Sequence, residues 1–231
     1  MRHDEIHERL SSRCSSVLWH THADKGIDVT IHDRIRHPSP TDQRRSVDWA
    51  RRVLESPERY VLLDTETTGL GNTAEVIQIG LLDVLGNVIL DTFVRPLHRK
   101  SIPSDAARVH GITMKMLRDA PGYPEIANQI IASTKGRTVI CYNADYDSRL
   151  LKQTVQQNGG AALSVRWECA MLEYARFRGE WNHEKGDYRW HKLPGGSHSA
   201  LEDCRAVLAL LHEMANATRL KRWYEFWVRM E

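Results

Sequence analysis

A chain of 231 residues with 41% hydrophobic content suits one packed α/β domain with an appendage, or at most two small domains, and excludes a disordered chain. Its formal net charge of +2 provides no global field for nucleic acid, so any such attraction has to be local. No apolar run approaches the roughly 20 residues of a membrane span. The charged start Met1-Arg2-His3-Asp4-Glu5 has no apolar core behind it, which argues against a secretory signal.

Residues 1–57 differ in character from the rest. Six of the twelve histidines fall there (His3, His7, His20, His22, His32 and His37), with a turn-like Pro38-Ser39-Pro40. Their spacing matches no tight zinc-ligand pattern and only Cys14 is near, so the stretch reads as an extension or partner-contact arm. Ser46 can cap a short helix over 47–54 that leads into a main domain spanning 58–231. Cys14, Cys141, Cys169 and Cys204 lie far apart, as reduced thiols of a cytoplasmic protein do.

From Tyr60 the pattern becomes regular. An apolar strand covers 60–65 and ends at Gly69 and Gly71; β-branched strands over 76–84 and 88–94 join through Gly86-Asn87 as a hairpin. Helical pieces are predicted at 104–109, 113–117 and 123–133, then a buried strand at 138–142. Asp145 can cap a helix running to 158; a strand at 165–167 and a helix at 170–177 follow. Ser199-Ala200-Leu201-Glu202 has the capping-box pattern of a last helix reaching 216. Antiparallel strands followed by alternating strands and helices predict a mixed sheet covered by helices.

Three acidic signatures lie on this frame. In Asp64-Thr65-Glu66-Thr67-Thr68-Gly69 the two carboxylates are two apart on a strand, so they share a face while Thr65 points away. Such a pair repels unless a cation sits between, and hard oxygen ligands select Mg²⁺ or Mn²⁺ over zinc. In Tyr142-Asn143-Ala144-Asp145-Tyr146-Asp147 the last aspartate falls in the first helical turn, near the end of the first strand if the two strands are neighbours. In His198-Ser199-Ala200-Leu201-Glu202-Asp203 the histidine stands just outside a helix that carries Asp203. Histidine titrates near neutral pH and can take a proton from an attacking water.

These motifs, in this order, resemble the three exonuclease motifs of the DEDDh superfamily, and Val109-His110-Gly111-Ile112-Thr113 resembles the subgroup of the bacterial DNA polymerase III epsilon subunit. Tyr146 stands where the family usually has phenylalanine and Tyr142 where histidine is common; histidine at 198 assigns the "h" branch. The resemblance covers about 58–216 and implies a ribonuclease H-like mixed five-stranded sheet flanked by helices, with an N-terminal extension. It implies metal-dependent 3′-to-5′ exonuclease activity that releases nucleoside 5′-monophosphates from single-stranded nucleic acid, DNA favoured.

The implied catalytic set is Asp64, Glu66, Asp147, Asp203 and His198, with two Mg²⁺ or Mn²⁺ ions. Asp64, Glu66 and Asp203 would hold one ion and Asp64 with the phosphate the other. Asp147 would act through water, and His198 would be the general base. Thr67, Leu70 and His110 would contact the terminal nucleotide. The partners implied are a DNA or RNA 3′ end and a polymerase or other replication or repair subunit. The alternatives are an RNA-processing exoribonuclease and a non-catalytic nucleic-acid-binding subunit. Arg176 to Lys192, with Phe177, Trp181, Tyr188 and Trp190 among five basic residues, suits either a strand-tracking surface or a folded loop. Trp223, Tyr224, Phe226 and Trp227 suggest a docking helix.

Overall fold

The computed structural model describes residues 39–218. The histidine-rich stretch, Cys14 and the Trp223 to Trp227 cluster lie outside the described residues.

A five-stranded sheet runs in the order β3-β2-β1-β4-β5. Its central strand, β1 (Tyr60–Thr67), pairs antiparallel with β2 (Val76–Asp83) and parallel with β4 (Thr138–Cys141). The hairpin predicted through Gly86-Asn87 joins β2 to β3 (Val88–Phe93), and β5 (Arg166–Cys169) extends the parallel side. Gly86 takes φ 90°, a left-handed value that glycine adopts without a Cβ clash. Asp83 Oδ1 closes the turn by accepting the Leu85 and Asn87 N–H groups at 3.0 and 2.8 Å.

Alternation along β1 sends Val61 and Leu63 into one apolar core and Leu62 into the other. The first core lies under α3 (Tyr123–Thr134) and α4 (Ala144–Asn158). The second lies under α1 (Pro40–Glu55), α5 (Ala170–Arg178) and α6 (Ala200–Ala215). On α6 the buried positions Leu201, Cys204, Val207, Leu211 and Met214 recur at helical spacing and form one stripe against β1 and β2. Full burial of each large side chain on that stripe contributes about 1.5–3 kcal/mol. A third cluster packs Ile112 and Leu117 on Ile77, beyond the short α2 (Ser104–His110).

Four local readings are corrected. The N-terminal helix starts at Pro40, not 47, and its cap is Ser39 rather than Ser46. Ser39 and Asp42 form a reciprocal capping box, and Ser46 lies buried inside the helix, donating to Glu173 Oε2 at 2.8 Å. Trp49, Ala50 and Val53 on that helix are buried in the second core, and Trp49 Nε1 donates to Glu168 Oε2 at 2.7 Å. Residues 113–117 make turns rather than a helix. Asn143, not Asp145, occupies the N-cap of α4, and Asp145 is exposed in its first turn. Ser199 is the N-cap of α6 but makes no side-chain capping bond, so the capping box read there is not formed.

The 176–192 stretch is a folded loop in which β6 (Trp181–Asn182) pairs with β7 (Asp187–Tyr188). Tyr188 is buried and donates its hydroxyl to Asp42 Oδ2 at 2.8 Å, which commits that ring to packing against α1. Cys141, Cys169 and Cys204 are free thiols. Among the described residues no helix is long and apolar enough to cross a membrane.

Candidate active site

Even-numbered residues of β1 face α6, so Asp64 and Glu66 leave the strand on the same side as Leu62. Thr65 points to the opposite face, where its hydroxyl donates to Asp147 Oδ1 at 2.8 Å. Asp147 arrives there because β4 runs parallel beside β1 and turns directly into α4. The strand adjacency on which its placement depends is therefore present. The sequence marks Thr65 only as the residue pointing away; its bond to Asp147 is a positioning contact set by the neighbouring strand and helix.

Asp203 is brought in by α6. Its carboxylate accepts the Ser197 N–H at 2.7 Å and its own N–H donates to the Ser199 carbonyl at 2.8 Å. The end of the helix is held to the sheet by Gln78, whose Oε1 accepts the Ala200 N–H at 3.3 Å. Gln78 stands opposite Glu66 in the β1–β2 register. Its bond to Ala200 holds the first residue of the helix, while the Ser199 side chain makes no capping bond.

His198 is the single non-glycine residue with positive φ among the described residues, at 60°. A histidine in that region costs of order 1 kcal/mol and persists where its surroundings over-determine it. Here that conformation accompanies a fixed place: donor atoms of Glu66, His198 and Asp203 all lie within 4.8 Å of one another.

The carboxylates repel. Glu66 and Asp147 are buried and Asp203 nearly so, while Asp64 is half-buried. Burial first, and then the charges of Asp147, Glu66 and Asp203, push Asp64 well above the usual carboxylate range. Burial, helped by Asp203 and Asp147, lifts Glu66 to about 8. Burial lifts Asp147 to about 7 against the hydrogen bond from Thr65. Among the described residues none of the four forms an ion pair with a lysine or arginine. A clustered, unpaired acidic set of hard oxygen donors fits a divalent cation such as Mg²⁺ or Mn²⁺.

The residues expected at the terminal nucleotide line the turn beyond β1. Thr67 ends the strand just past a register shift, donates to the Gly69 carbonyl at 2.8 Å and sits 2.7 Å from the Tyr146 hydroxyl. The tyrosine that replaces the family's usual phenylalanine thus ties α4 to this turn. Leu70 is 39% exposed at its tip. His110 closes α2, and its Nδ1 accepts the Ile112 N–H at 3.0 Å, which leaves the proton on Nε2. That Nε2–H is buried without a partner. Burial lowers the His110 pKa, the Thr67 backbone opposes this, and His198 adds a downward push. A neutral donor beside Thr67 is suited to a phosphate or sugar oxygen.

Gly80 is a further residue on which the site depends. It lies in β2 directly opposite Asp64, and a Cβ there would meet Leu201 N at 2.6 Å and Ala200 O at 2.8 Å. A glycine inside an otherwise apolar strand is the signal that could have found it, because it marks a close backbone approach.

The exonuclease family named for RNase T matches residues 61–211, and the chain belongs to it. The chain is 40% identical over 183 residues to exonuclease CP81 of Escherichia phage 186, covering 72% of this chain and 92% of the relative. It is 29% identical over 110 residues to the DNA polymerase III epsilon subunit of Buchnera aphidicola from Schizaphis graminum, covering 43% of this chain and 46% of the relative. The chain thus spans just under half of that subunit. Among solved structures, Exonuclease X in complex with 5′-overhanging duplex DNA superposes with a TM-score of 0.50 at 25% identity, over 69% of this chain and 92% of that one. The nuclease domain of a DEDDh family member, 3′hExo, bound to rAMP, shares the fold with a TM-score of 0.52 at 17% identity, over 70% and 94% of the two chains. The protein is an exonuclease acting on nucleic acid.

Proposed function

We propose that this exonuclease removes nucleotides one at a time from the 3′ end of single-stranded nucleic acid, with DNA favoured, and releases nucleoside 5′-monophosphates. The observation that carries the reading is the convergence of Asp64, Glu66, Asp147 and Asp203 from β1, α4 and α6 on one strand end, beside His198 and without a protein cation. Two Mg²⁺ or Mn²⁺ ions held by these carboxylates would supply charge neutralisation at the phosphate and a more acidic water.

The chain's own residues supply the rest. His198, in its left-handed backbone conformation, presents an imidazole at the edge of the carboxylate cluster, where it accepts the proton of the attacking water. Thr67, Leu70 and His110 position the terminal nucleotide, the first through a turn that Tyr146 holds, the last as a neutral imidazole beside Thr67. Asp147 is kept oriented by Thr65. The preference for DNA takes support from the likeness to the DNA polymerase III epsilon subunit and to Exonuclease X in complex with DNA. The same likeness suggests a polymerase or other replication or repair subunit as partner.

Purified protein is expected to shorten matched DNA and RNA single strands from the 3′ end in Mg²⁺ or Mn²⁺, the DNA faster, and to stop in chelator. Undiminished activity in excess EDTA would overturn the metal assignment. Faster degradation of RNA would favour the exoribonuclease reading.

A further inference from the structure

We infer that a cationic cleft outside the carboxylate cluster binds the sugar-phosphate backbone of the substrate at phosphates remote from the bond being cut. The inference rests on the nuclease reading. The cleft has a volume of about 510 Å³, and five of its eight lining residues are Arg95, Arg99, Lys100, Lys115 and Arg118. None of the eight is acidic. In a chain whose 32 basic and 30 acidic residues otherwise nearly cancel, this is a local field of one sign. A concave wall of one charge over an apolar floor, here Met114 and Leu117, focuses that field on an anion.

The cations are available. Arg95 lies 3.7 Å from Glu125 in an exposed pair, which is weak, and Arg99 donates to the Thr73 carbonyl at 3.2 Å. Lys100, Lys115 and Arg118 are exposed and form no ion pair among the described residues. Three free cations side by side repel one another and gain from a polyanion.

Both walls are anchored, and each continues a segment of the candidate active site. One wall hangs from Glu75, a fully buried carboxylate that accepts the N–H groups of Leu97, His98 and Arg99 at 2.8, 3.1 and 3.0 Å. Glu75 ends the turn that carries Leu70, and its own N–H donates to Thr68 Oγ1 at 3.0 Å. The other wall starts at His110, is pinned where Ile112 and Leu117 pack on Ile77, and runs on to Arg118. A strand whose 3′ end lies at Thr67 and His110 can therefore place further phosphates on a prearranged surface. Phosphate contacts of this kind fix register and add affinity without reading sequence.

The test uses the full chain carrying Lys115→Gln together with Arg118→Gln. Binding of a single-stranded trimer, a single-stranded 12-mer and a hairpin duplex is measured by anisotropy in EDTA, where no hydrolysis occurs, across a salt series. Losing two phosphate contacts should flatten the dependence of log affinity on log salt by about 1.4, at about 0.7 per contact to a single strand. On this inference the trimer lies at the carboxylate cluster alone, so its binding should be unchanged, and so should kcat on it in Mg²⁺. A flattened slope on the 12-mer assigns the cleft to upstream phosphates of the cut strand; a flattened slope on the hairpin alone assigns it to the complementary strand. An unchanged slope on both overturns the inference. A matching fall in trimer kcat also overturns it, by making the cleft part of the catalytic centre. Wild-type protein that binds the 12-mer with a steep salt slope but never hydrolyses it would sink the nuclease reading and leave the cleft standing.

Discussion

Asp64 and Gly80 face each other across the antiparallel pairing of β1 with β2. One supplies a carboxylate to the candidate site, and the other supplies the absence of a side chain that lets the first turn of α6 lie on the sheet. Asp203 reaches Asp64 and Glu66 only because that approach is close.

Replacing Gly80 with alanine puts a methyl 2.6 Å from Leu201 N, on backbone that cannot swing aside. Overpacking of this kind costs about 1–3 kcal/mol. A displacement of α6 by as little as 1 Å can lower turnover as much as about 10²-fold. Thermal unfolding and kcat of Gly80→Ala should both fall; a variant indistinguishable from wild type would show that α6 has slack at this contact.

His198→Ala should lower kcat by roughly 10²–10⁴-fold while leaving metal affinity near wild type, as loss of a general base does. His198→Asn tests the backbone separately, since asparagine tolerates the left-handed region better than most residues but cannot take the proton. Both variants should be equally inactive. Asp64→Ala should lose metal affinity as well as rate, measured by calorimetry. Retained turnover in His198→Ala across pH 6 to 9 would remove the histidine as base.

The carboxylates make the metal-free protein sensitive to pH in a defined direction. Glu66 at about 8 and Asp147 at about 7 bind protons more tightly folded than unfolded, where such groups titrate near 4. The folded state therefore carries the extra protons between those values, and stability falls as pH rises from about 4 to about 8. In EDTA, Tm should be lower at pH 8 than at pH 5.5, and Mg²⁺ should raise Tm more at pH 8. A Tm in EDTA that is flat or rising over that range would contradict the placement of these acids.

The start of the folded unit is open to direct trial. A chain beginning at Ser39 keeps the capped α1 and should stay soluble and active on a short oligonucleotide. A chain beginning at Pro57 loses Trp49, Ala50 and Val53 from the second core. Each large side chain so lost removes about 1.5–3 kcal/mol of burial, against total stabilities of about 5–15 kcal/mol. That shorter chain should aggregate; if it folds and cuts, the boundary lies at residue 57 as the sequence pattern alone suggests.

Much of this protein was legible in its sequence because the signals are local. Period-two alternation placed β1 and the shared face of Asp64 and Glu66, and the strand-to-helix switch after residue 142 placed Asp147 in a first turn. The spacing from His198 to Asp203 placed one outside and one inside the same helix. What the tertiary structure decided were contacts between segments far apart in the chain, to which no local rule refers. Ser199 has the composition of a cap, yet its side chain makes no capping bond, and the helix end is held to the sheet by Gln78 through the Ala200 N–H. Asp145 looks the better cap, yet Asn143 takes the position and Asp145 stays exposed, while Asp147 is held by Thr65 from the neighbouring strand. The helix over 40–55 reads as an appendage by composition, but its apolar stripe is buried against α5 and α6. Local sequence specifies which faces are apolar and which ends carry charge; only packing chooses the partner that each face and each unsatisfied N–H will meet.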